Sequence, residues 1–481
     1  MNYKDFFEGK KITMMGLGTL GRGVNVAKFL AECGAKLTIT DLKTEEQLAA
    51  SLKILSPYKD IDYVLGRHEP ADFRDKDMII KAAGVPLDSP FIEEARKNNI
   101  PVEMDASLFA KLVKLMGLDT KIIGVTGTRG KSTTTHLIYQ ILREAFKKTK
   151  RKVYLGGNVK GLATLPLIKK VKDGDIVVME LDSWQLQGFG DAGISPHVSV
   201  FTSFYRDHMN YYKEDLDRYF EDKSNIIKNQ KEGDLFVIEE DFFKKLKILD
   251  IRKDMEDIRK ITKASIVTVS KNDVKKWKLR ILGDHNMINA ALAAEVCRNL
   301  GVKEAVIKKV AEKFNPVPGR LQLVRTLKRI NFYNDSTATT PDAVIASLKA
   351  VAPKGKKPRI ILIGGGADKM LEYEEYAEEV KDKVKALILF RGAASNKIIR
   401  ELRITNHESQ REKNNPDLLI PDSSAKCFID IASMKDAVRI AKENMIKGDV
   451  VILSPGAASF GVFKNEYDRE EQFNKEIKKL K

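Results

Sequence analysis

A glycine-rich segment followed by lysine and serine carries the residue types that bind phosphate groups. Residues 126–133, TGTRGKST, follow an apolar strand-like run and open a helix-like one. In such a loop the glycines let backbone N–H groups close around phosphate oxygens, and the helix N-terminus adds partial positive charge. Lys131 can reach the outer phosphates, and the Ser132 hydroxyl can ligate Mg²⁺. The strict pattern has glycine where Val125 stands, but the segment still predicts ATP binding rather than an ordinary glycine-rich turn.

Polar residues that follow this loop in the sequence are candidates for binding magnesium and the adenine base. Glu180 ends one strand-like run, and His208 follows another. Because the carboxyl ends of parallel strands meet at the ligand crevice, we expect Glu180 to bind one Mg²⁺ through oxygen and His208 to bind a second ion through nitrogen. For each residue alone, a helix cap or a surface group is the alternative. Asn286 and Asn289 lie one helical turn apart and can both reach adenine, although helix capping by Asn286 is also open.

A second phosphate-binding pattern lies near the N-terminus. Residues 16–21 form a literal GxGxxG after a strand-like run, and Asp41 stands 20 residues beyond Gly21, where an acid can bind a ribose hydroxyl. Taken alone, this pattern predicts a nicotinamide dinucleotide. The same turn suits any diphosphate, so a second nucleotide without redox chemistry is equally open.

The alternation of strand-like and helix-like runs predicts an α/β protein of three domains. We expect a Rossmann-like domain at residues 1–104, a central P-loop ATPase-like α/β domain at 105–317, and a C-terminal Rossmann-like α/β domain at 318–481. A hinge is predicted at 315–319, and the polar insertion at 403–424 is predicted to be a surface loop. Besides the run before the phosphate loop, the predicted strands are 11–15, 35–40, 61–65, 77–83, 101–104, 152–158, 175–181, 197–202, 234–240, 264–270, 330–335, 359–365, 385–390 and 450–455.

Composition narrows the class of protein. The 481 residues are 43% hydrophobic, which is enough for several cores, and no apolar run approaches the ~20 residues of a membrane span. The N-terminus lacks the apolar core of a signal peptide, and the three cysteines are isolated, so a cytoplasmic protein without disulfides is expected. The net charge of +17 is spread along the chain among acidic residues. It therefore favours a lysine-rich surface and anionic small substrates over nucleic acid, and we expect a monomer with neither nucleic acid nor membrane as a partner.

Nine motifs in order resemble one family, the Mur ligases, across nearly the full length. They are TGTRGKST (126–133), GGN (156–158), MELDSWQL (179–186), DHM (207–209), Lys223, GDHNMIN (283–289), NDSTATTP (334–341), GGGADK (364–369) and SPGAASFGVFKNEYDRE (454–470). The set is most similar to the members that add D-glutamate to UDP-N-acetylmuramoyl-L-alanine. The resemblance implies that ATP phosphorylates the alanyl carboxylate, that the amine of D-glutamate attacks the acyl phosphate, and that the N-terminal GxGxxG unit holds UDP rather than NAD.

The resemblance also implies roles for individual residues. Lys131, His208 and Lys223 are expected to be catalytic, and two Mg²⁺ ions are expected on Ser132, Glu180, His208 and Lys223. Members of the family carry a carbamylated lysine at the position of Lys223. From the sequence alone, a lysine on the helix surface is the simpler interpretation of this residue.

The remaining expected contacts fall into three sets. The ATP site is expected to contain Gly127, Thr128, Gly130, Lys131, Ser132, Thr133, Asn286, Asn289, Arg320 and Asp335. The UDP-substrate site is expected to contain Gly18, Thr19, Leu20, Asp41, Leu42, Gly84, Asn158, Ser183 and Gln185. The amino-acid site is expected to contain Thr339, Lys369, Ser459 and Phe460.

The chain departs from the family pattern at several positions. Arg129 stands where asparagine is more usual, Thr337 where some members have lysine, and Asp182 where serine is common. Glu466 and Glu470 replace an aromatic residue and a glycine, which concerns the amino-acid pocket. Three alternatives follow: another Mur ligase or a folylpolyglutamate-synthase-like ligase with a different amino acid, a nicotinamide-dependent oxidoreductase, and an ATP-driven nucleic-acid-binding protein.

Overall fold

The computed structural model describes residues 2–246, 260–353, 355, 357–402, 419–421, 423 and 425–481. The surface loop predicted at 403–424 lies outside the described residues except at 419–421 and 423. No described helix is long and apolar enough to cross a membrane.

The N-terminal region is a five-stranded parallel sheet with strand order β3-β2-β1-β4-β5. This is the doubly wound order, in which the ligand crevice opens where the strand order reverses, between β1 and β4. The strands are β1 Lys11–Met15, β2 Lys36–Asp41, β3 Ile61–Leu65, β4 Met78–Lys81 and β5 Val102–Glu103. The helices are α1 Tyr3–Phe7, α2 Arg22–Glu32, α3 Glu45–Leu55 and α4 Pro90–Lys97.

The central region is a six-stranded parallel sheet with strand order β11-β10-β9-β6-β8-β7. Its first strand, β6, lies between β8 and β9, so the carboxyl ends of these three strands surround the loop that follows β6. The strands are β6 Lys121–Thr126, β7 Val153–Gly157, β8 Ile176–Glu180, β9 Val198–Phe201, β10 Leu235–Glu239 and β11 Ser265–Val269. The helices are α5 Asp105–Leu115, α6 Lys131–Phe146, α7 Ser183–Asp191, α8 Met209–Tyr212, α9 Leu216–Lys228, α10 Glu240–Leu246, α11 Asp284–Asn299 and α12 Glu304–Lys313.

Burial of apolar side chains fixes β6 against α6 and the first region against the second. Ile123 and Val125 of β6 are fully buried in one cluster with Leu137 of α6. A second cluster joins Phe29 of α2 with Phe109 of α5, so the N-terminal region packs on the central one through shared apolar surface. The two ligand crevices are therefore held in a fixed relation by hydrophobic burial.

The C-terminal region is a six-stranded sheet with strand order β12-β13-β17-β14-β15-β16, parallel except for the antiparallel edge strand β12. The strands are β12 Gln322–Leu327, β13 Ile330–Asn334, β14 Ile360–Gly364, β15 Val384–Phe390, β16 Lys426–Ile431 and β17 Val450–Leu453. The helices are α13 Pro341–Val351, α14 Glu374–Lys383, α15 Ala393–Glu401, α16 Met434–Asn444 and α17 Glu466–Lys479.

The predicted fold class is confirmed: three sheet-containing α/β regions follow one another along the chain. Each strand predicted from the sequence is present within two residues of its expected bounds. The sequence prediction missed the two edge strands of the C-terminal sheet, β12 and β16. Both carry half-exposed side chains, so neither shows the apolar run of a central strand.

Candidate functional site

The phosphate loop lies between β6 and α6, and its last position requires glycine. Gly130 has φ = +86°, and a Cβ atom there would overlap Asn289 Oδ1. Lys131, the first residue of α6, folds back over the loop. Its Nζ donates to the carbonyl oxygens of Gly127 (2.8 Å) and Thr128 (3.1 Å). The ammonium is thereby held against the loop that the sequence predicts to bind phosphate.

Lys223 is buried, so the interpretation of a helix-surface lysine is wrong. Its side chain is on α9, the residue is 1% exposed, and its Nζ donates to Gly127 O at 3.0 Å. The ring of Tyr219 lies 4.8 Å from the same nitrogen. Burial lowers the pKa of Lys223 well below its usual range, and the neighbouring charge of Lys131 acts in the same direction. The amine is therefore readily deprotonated beside the phosphate loop.

His208 and Glu180 approach the phosphate loop from β9 and β8, the two strands that flank β6. His208 follows β9 in a left-handed conformation (φ = +58°), and its ring lies 4.9 Å from that of Trp184. Burial lowers the pKa of His208 to about 4, although the charge of Asp207 opposes this shift. The imidazole is therefore neutral near pH 7, which is the form that binds metal ions. Glu180 is the last residue of β8 and is buried.

The donor set around the loop fits a divalent cation that is also bound by phosphate. Among the described residues, no group of three or more His, Cys, Asp and Glu side chains is arranged to hold a metal ion. The protein offers instead the carboxylate of Glu180, the neutral imidazole of His208 and the hydroxyl of Ser132, all close to the loop. Oxygen donors of this kind suit Mg²⁺, which commonly takes one or two protein ligands together with substrate phosphates.

A cavity of about 230 Å³ opens beside the phosphate loop. Of the residues predicted for the ATP site, those on its wall are Gly130, Thr133, Asn286, Asn289, Arg320 and Asp335. Gly283 occupies the N-cap position of α11, so Asn286 does not cap the helix. Instead, Asn286 Nδ2 donates to Leu282 O at 2.8 Å, and Asn286 Oδ1 accepts from Asn289 Nδ2 at 3.1 Å. Each amide keeps hydrogen-bonding capacity for a ligand.

The C-terminal region reaches the phosphate loop through Arg320. Arg320 Nη2 donates to Ser132 Oγ at 3.0 Å, which joins the third region to the first turn of α6. Asp335 lies beneath the cavity and accepts from Ser347 Oγ (2.6 Å) and Ser454 Oγ (3.0 Å). Burial raises the pKa of Asp335 to about 6 despite these donors. The structure thus brings both predicted C-terminal contacts to the nucleotide cavity.

Arg129 makes a contact between regions that the sequence did not predict. Its guanidinium donates to Asp207 Oδ2 (3.1 Å), to Asp342 Oδ2 (3.4 Å) and, at very short range, to Thr340 Oγ1. Asp342 and Thr340 belong to the C-terminal region. On its other side, Asp207 forms an ion pair with Lys369 Nζ at 3.3 Å. Burial alone would raise the pKa of Asp207, but the charges of Arg129 and Lys369 outweigh it and hold that pKa far below its usual range.

Some of the residues predicted for the amino-acid site lie close to one another, and one of them is exposed to solvent. Lys369 Nζ donates to Thr339 Oγ1 at 2.9 Å. The loop that carries Lys369 and the loop that carries Ser459 are joined by an isolated β-bridge, and Ser459 is buried. Phe460, in contrast, is 66% exposed. Lys369 and the Thr339 hydroxyl are therefore in contact, Ser459 lies on the adjoining loop, and the aromatic ring faces solvent.

A second, larger cavity of about 550 Å³ lies at the GxGxxG turn. Of the residues predicted for the UDP-substrate site, those on its wall are Gly18, Thr19, Leu20, Asp41, Leu42, Gly84, Asn158 and Gln185. Ser183 is buried at the start of α7 and is not among the lining residues. Asp41 Oδ2 accepts from the backbone N–H groups of Leu17 and Gly18, both at 2.9 Å. Its carboxylate therefore holds the glycine turn in shape at the edge of the cavity.

All three regions contribute to this second cavity. Arg22 of α2 donates to Asn158 Oδ1 (2.9 Å) and to Leu162 O (3.2 Å) in the central region. From the C-terminal region, the ring of Tyr467 lies 3.9 Å from Lys160 Nζ. The loop at 158–162 is thus held on one side by the first region and on the other by the third.

Several residues at the two cavities were not named from the sequence. They are Arg22, Lys81, Lys160 and Tyr467 at the larger cavity, and Phe204, Tyr205, Phe242, His285 and Asp342 at the smaller one. Phe204 and Tyr205 directly follow β9, so their place at the crevice was available from the strand pattern. Tyr467 and Asp342 come from another region of the chain, and no local spacing indicates them.

Three family models match the chain in succession. The Mur ligase MurD-like N-terminal domain matches residues 10–103, the Mur ligase middle domain matches 125–297, and the Mur ligase glutamate ligase domain matches 319–456. Each match falls inside one of the three predicted domains.

Similar proteins span nearly the whole chain. A UDP-N-acetylmuramoylalanine--D-glutamate ligase of Roseiflexus sp. (strain RS-1) is 32% identical over 97% of this chain and 98% of its own length. One of Borreliella burgdorferi (strain B31) is 33% identical over 99% of both. Among solved structures, the UDP-N-acetylmuramate-alanine ligase MurC of Thermotoga maritima superposes with a TM-score of 0.58 at 19% identity, over 98% of this chain and 99% of that one. This last likeness concerns the fold alone.

Proposed function

This chain belongs to the Mur ligase family, and on that premise we propose that it joins D-glutamate to UDP-N-acetylmuramoyl-L-alanine, with conversion of ATP to ADP and phosphate, in peptidoglycan precursor synthesis. One observation carries the proposal. The cavity at the GxGxxG turn and the cavity at the phosphate loop are linked by a short chain of contacts: Trp184 lines the first cavity and its ring lies 4.9 Å from that of His208, while the adjacent Asp207 accepts from Arg129, which lines the second cavity.

The reaction requires activation because a carboxylate is a poor electrophile. The alanyl carboxylate attacks the γ-phosphate of ATP, which gives an acyl phosphate and releases ADP. The amine of D-glutamate then attacks the acyl carbon, loses a proton, and the tetrahedral intermediate expels phosphate as the amide forms. All the reactants are anionic, so alignment and charge neutralisation are the main contributions that the protein can make.

The positive groups at the loop can supply this neutralisation. Lys131 lies against the loop, and we propose that its ammonium turns from the backbone carbonyls to the transferred phosphate when ATP is bound. Arg320 already bonds the first turn of α6 and is close enough to contact phosphate oxygens. Asn286 and Asn289 are proposed to bind adenine, and Asp335 the ribose, because all three line the smaller cavity.

Family membership implies Mg²⁺ together with ATP. We propose that Ser132 and Glu180 hold one ion and that His208 and Lys223 hold a second. Bound in this way, Mg²⁺ neutralises charge on the phosphate oxygens and on the attacking carboxylate. The chain's own contribution is to keep His208 neutral by burial and to orient it against the ring of Trp184.

We propose that Lys223 acts as a carbamate. A carbamate forms when an uncharged amine attacks carbon dioxide and releases a proton, and burial favours the uncharged form of this lysine by lowering its pKa. The product is an anionic oxygen donor, and among the described residues no group of three or more His, Cys, Asp and Glu side chains is arranged to hold a metal ion without it. It would also place a negative charge near the ammonium of Lys131.

The amino-acid site is proposed at Lys369, Thr339 and Ser459. A lysine suits a substrate that carries two carboxylates, and the two hydroxyls can donate to the same oxygens. In this structure Lys369 is paired with Asp207, so D-glutamate has to compete with that carboxylate for the ammonium. The position of Phe460, exposed to solvent, supports only a role at the rim of the pocket.

The remaining features of the proposal concern organisation. Domain bounds of 1–104, 105–317 and 318–481 are supported by the three separate sheets. A monomer is proposed because the residues of both cavities come from one chain. A cytoplasmic location is proposed because the reaction needs ATP and a nucleotide-linked sugar.

One assay tests the function. Purified protein is given ATP, Mg²⁺ and UDP-N-acetylmuramoyl-L-alanine with D-glutamate, L-glutamate or L-lysine in parallel, and phosphate release and product mass are measured. We expect release that depends on both the nucleotide sugar and D-glutamate. Product with L-lysine alone would indicate a different Mur ligase, and product without ATP consumption would refute the mechanism. Reduction of NAD or stimulation by DNA would support the other classes of protein.

A further inference from the structure

A buried lysine at the floor of the larger cavity is used by nothing described above. Lys81 is the last residue of β4, is 2% exposed, and lines the cavity together with the glycine turn. Its place follows from the sheet register, because Lys81 is paired with Met15, the residue directly before that turn. It therefore lies in the crevice between β1 and β4, where ligands bind in doubly wound sheets.

The ammonium of Lys81 has fewer partners than it can satisfy. An ammonium has three N–H donors, and Nζ donates only to Val85 O, at 2.8 Å. None of the described carboxylates forms an ion pair with it. Three carboxylates of the central region, Asp182, Asp191 and Asp222, act on it only at longer range. A buried charge without a contacting partner is costly, so the fold keeps this group at a free-energy penalty.

Burial lowers the pKa of Lys81 to about 8, and the three distant carboxylates counteract only part of this shift. Near pH 7 the group is still mostly charged. A charged group at a cavity wall that has one acceptor for its three N–H donors among the described residues is the arrangement expected where a ligand supplies the others.

Resting on the proposed function, we propose that Lys81 binds the nucleotide-sugar substrate by donating to one of its oxygen acceptors. Two groups of that substrate carry oxygens with the required chemistry, the diphosphate and the acyl arm. The glycine turn, which would hold the diphosphate, and Trp184 and Gln185, which would face the acyl arm, line the same cavity as Lys81. Asp182 lines this cavity from the central region.

A purely structural lysine would behave differently. If Lys81 served only to tie Val85 to β4, its replacement would destabilise the protein and impair every substrate alike. If Lys81 binds the substrate, replacement by methionine, which has a similar length, removes the buried charge and leaves the stability of the protein unchanged or higher. The same replacement weakens binding of the nucleotide sugar and of no other substrate.

The test compares wild type, Lys81→Met and the matched control Lys36→Met. Lys36 is the exposed first residue of β2, at the amino-terminal end of the parallel strands and away from the crevice, so its substitution removes one charge from the region without changing the cavity wall. KM is measured for UDP-N-acetylmuramoyl-L-alanine, ATP and D-glutamate, together with the apparent unfolding temperature. Binding of UDP-N-acetylmuramoyl-L-alanine and of UDP-N-acetylglucosamine, which has the diphosphate but no acyl arm, is measured by calorimetry.

We expect Lys81→Met to raise KM and Kd for UDP-N-acetylmuramoyl-L-alanine about tenfold or more, because a hydrogen bond to a charged group is lost. KM for ATP and D-glutamate should stay within about twofold, and the unfolding temperature should not fall. Equal weakening of UDP-N-acetylglucosamine assigns the bond to the diphosphate, whereas unchanged binding assigns it to the acyl arm.

Two outcomes overturn the inference: wild-type KM and Kd in the variant, or a fall in stability with all three KM values raised. Wild-type protein that binds the nucleotide sugar but forms no product would refute the proposed function alone. In that case the calorimetric comparison still decides the role of Lys81. Wild-type protein that does not bind the nucleotide sugar would refute both.

Discussion

Replacement of Arg129 by asparagine tests whether the contact between the phosphate loop and the C-terminal region matters for the amino acid. The substitution removes the bonds from Arg129 to Asp342 and Thr340, which are the bonds that cross between regions. Asp207, whose side chain is 4% exposed, forms ion pairs with both Arg129 and Lys369. The substitution therefore leaves it with the pair to Lys369. Asparagine is a suitable replacement because it is small enough to leave the loop itself unstrained.

The two consequences act in the same direction on D-glutamate. A hydrogen bond from a charged donor contributes about 1.5–3 kcal/mol, and a partly exposed ion pair adds roughly 0.5 kcal/mol. Loss of about 2–3 kcal/mol lowers the equilibrium constant for contact between the C-terminal region and the phosphate loop by roughly 30–150-fold. In addition, Asp207 without Arg129 holds Lys369 more strongly, so the substrate competes less well for that ammonium.

The assay is steady-state phosphate release with D-glutamate and ATP varied in turn. We expect kcat/KM for D-glutamate to fall by about one to two orders of magnitude, with a smaller effect on KM for ATP. Asp342→Asn should reproduce the part of the effect that comes from the ion pair with Asp342, because it leaves the bonds from Arg129 to Asp207 and Thr340 in place. Arg391→Asn is the matched control, since Arg391 forms a bidentate pair with Asp430 on an exposed surface and should change kcat/KM less than twofold.

The reasoning is wrong if Arg129→Asn keeps kcat/KM for D-glutamate within twofold of wild type. It is also wrong if KM for ATP rises as much as KM for D-glutamate, because that result would indicate damage to the phosphate loop. A normal Asp342→Asn variant beside a defective Arg129→Asn would limit the effect to the bonds from Arg129 to Asp207 and Thr340, and would remove the ion pair with Asp342 from the explanation.

The remaining predictions concern single lysines. Lys223→Ala should lower kcat by about 100-fold or more, and millimolar formate or acetate should restore part of it; full activity without added acid would refute the carbamate. Lys369→Ala should raise KM for D-glutamate about tenfold while KM for ATP changes little, and an equal rise in both would count against its place in the amino-acid site. Lys81 has a folded pKa of about 8 against 10.5 in the unfolded chain, so the unfolded chain binds more protons between these values and wild-type stability rises with pH there. The amount by which the free energy of unfolding of Lys81→Met exceeds that of wild type should therefore shrink by up to about 3 kcal/mol between pH about 7 and about 10.5. Denaturation at several pH values measures this difference, and a difference that does not change with pH would contradict the lowered pKa of Lys81.

Local pattern was sufficient for the fold because each region repeats a strand followed by a helix. Buried parallel strands such as β6 and β14 are continuous apolar runs, and they were recognisable without tertiary information. The edge strand β12 was missed because all of its side chains are half-exposed or exposed and it pairs on one side only. Its antiparallel direction depends on a tight reversal at Lys328 and Arg329, both with positive φ, which no glycine marks in the sequence.

The site was predictable where its geometry is local. The phosphate loop and the GxGxxG turn place their own residues, so spacing alone was informative. For Lys223 the sequence held a signal that the surface interpretation overlooked: Tyr219 and Ile227 stand four residues to either side, and both are buried. A lysine between two buried apolar residues at helical spacing lies on the buried face of the helix.

Contacts between distant parts of the chain could not be predicted in this way. Arg129 and Asp342 are 213 residues apart, and their meeting depends on how the third sheet lies against the second. The same holds for Lys160 and Tyr467. Each pair depends on how whole regions are oriented relative to one another. That orientation is determined jointly by shared apolar surface and many weak contacts.

The loop at 158–162 has a consequence for how the acyl arm can be recognised. The side-chain carbonyl oxygen of Asn158 accepts from Arg22 at 2.9 Å, which leaves Asn158 one further acceptor site on that oxygen and the two N–H donors of its amide. Carbonyl and carboxylate oxygens of the acyl arm can accept from these two donors. Because Arg22 holds the oxygen, it fixes the orientation of the Asn158 amide that the substrate meets. The same loop contacts Tyr467 on its other side, through Lys160. Contact with the C-terminal region and recognition of the acyl arm therefore both involve this one short segment of backbone.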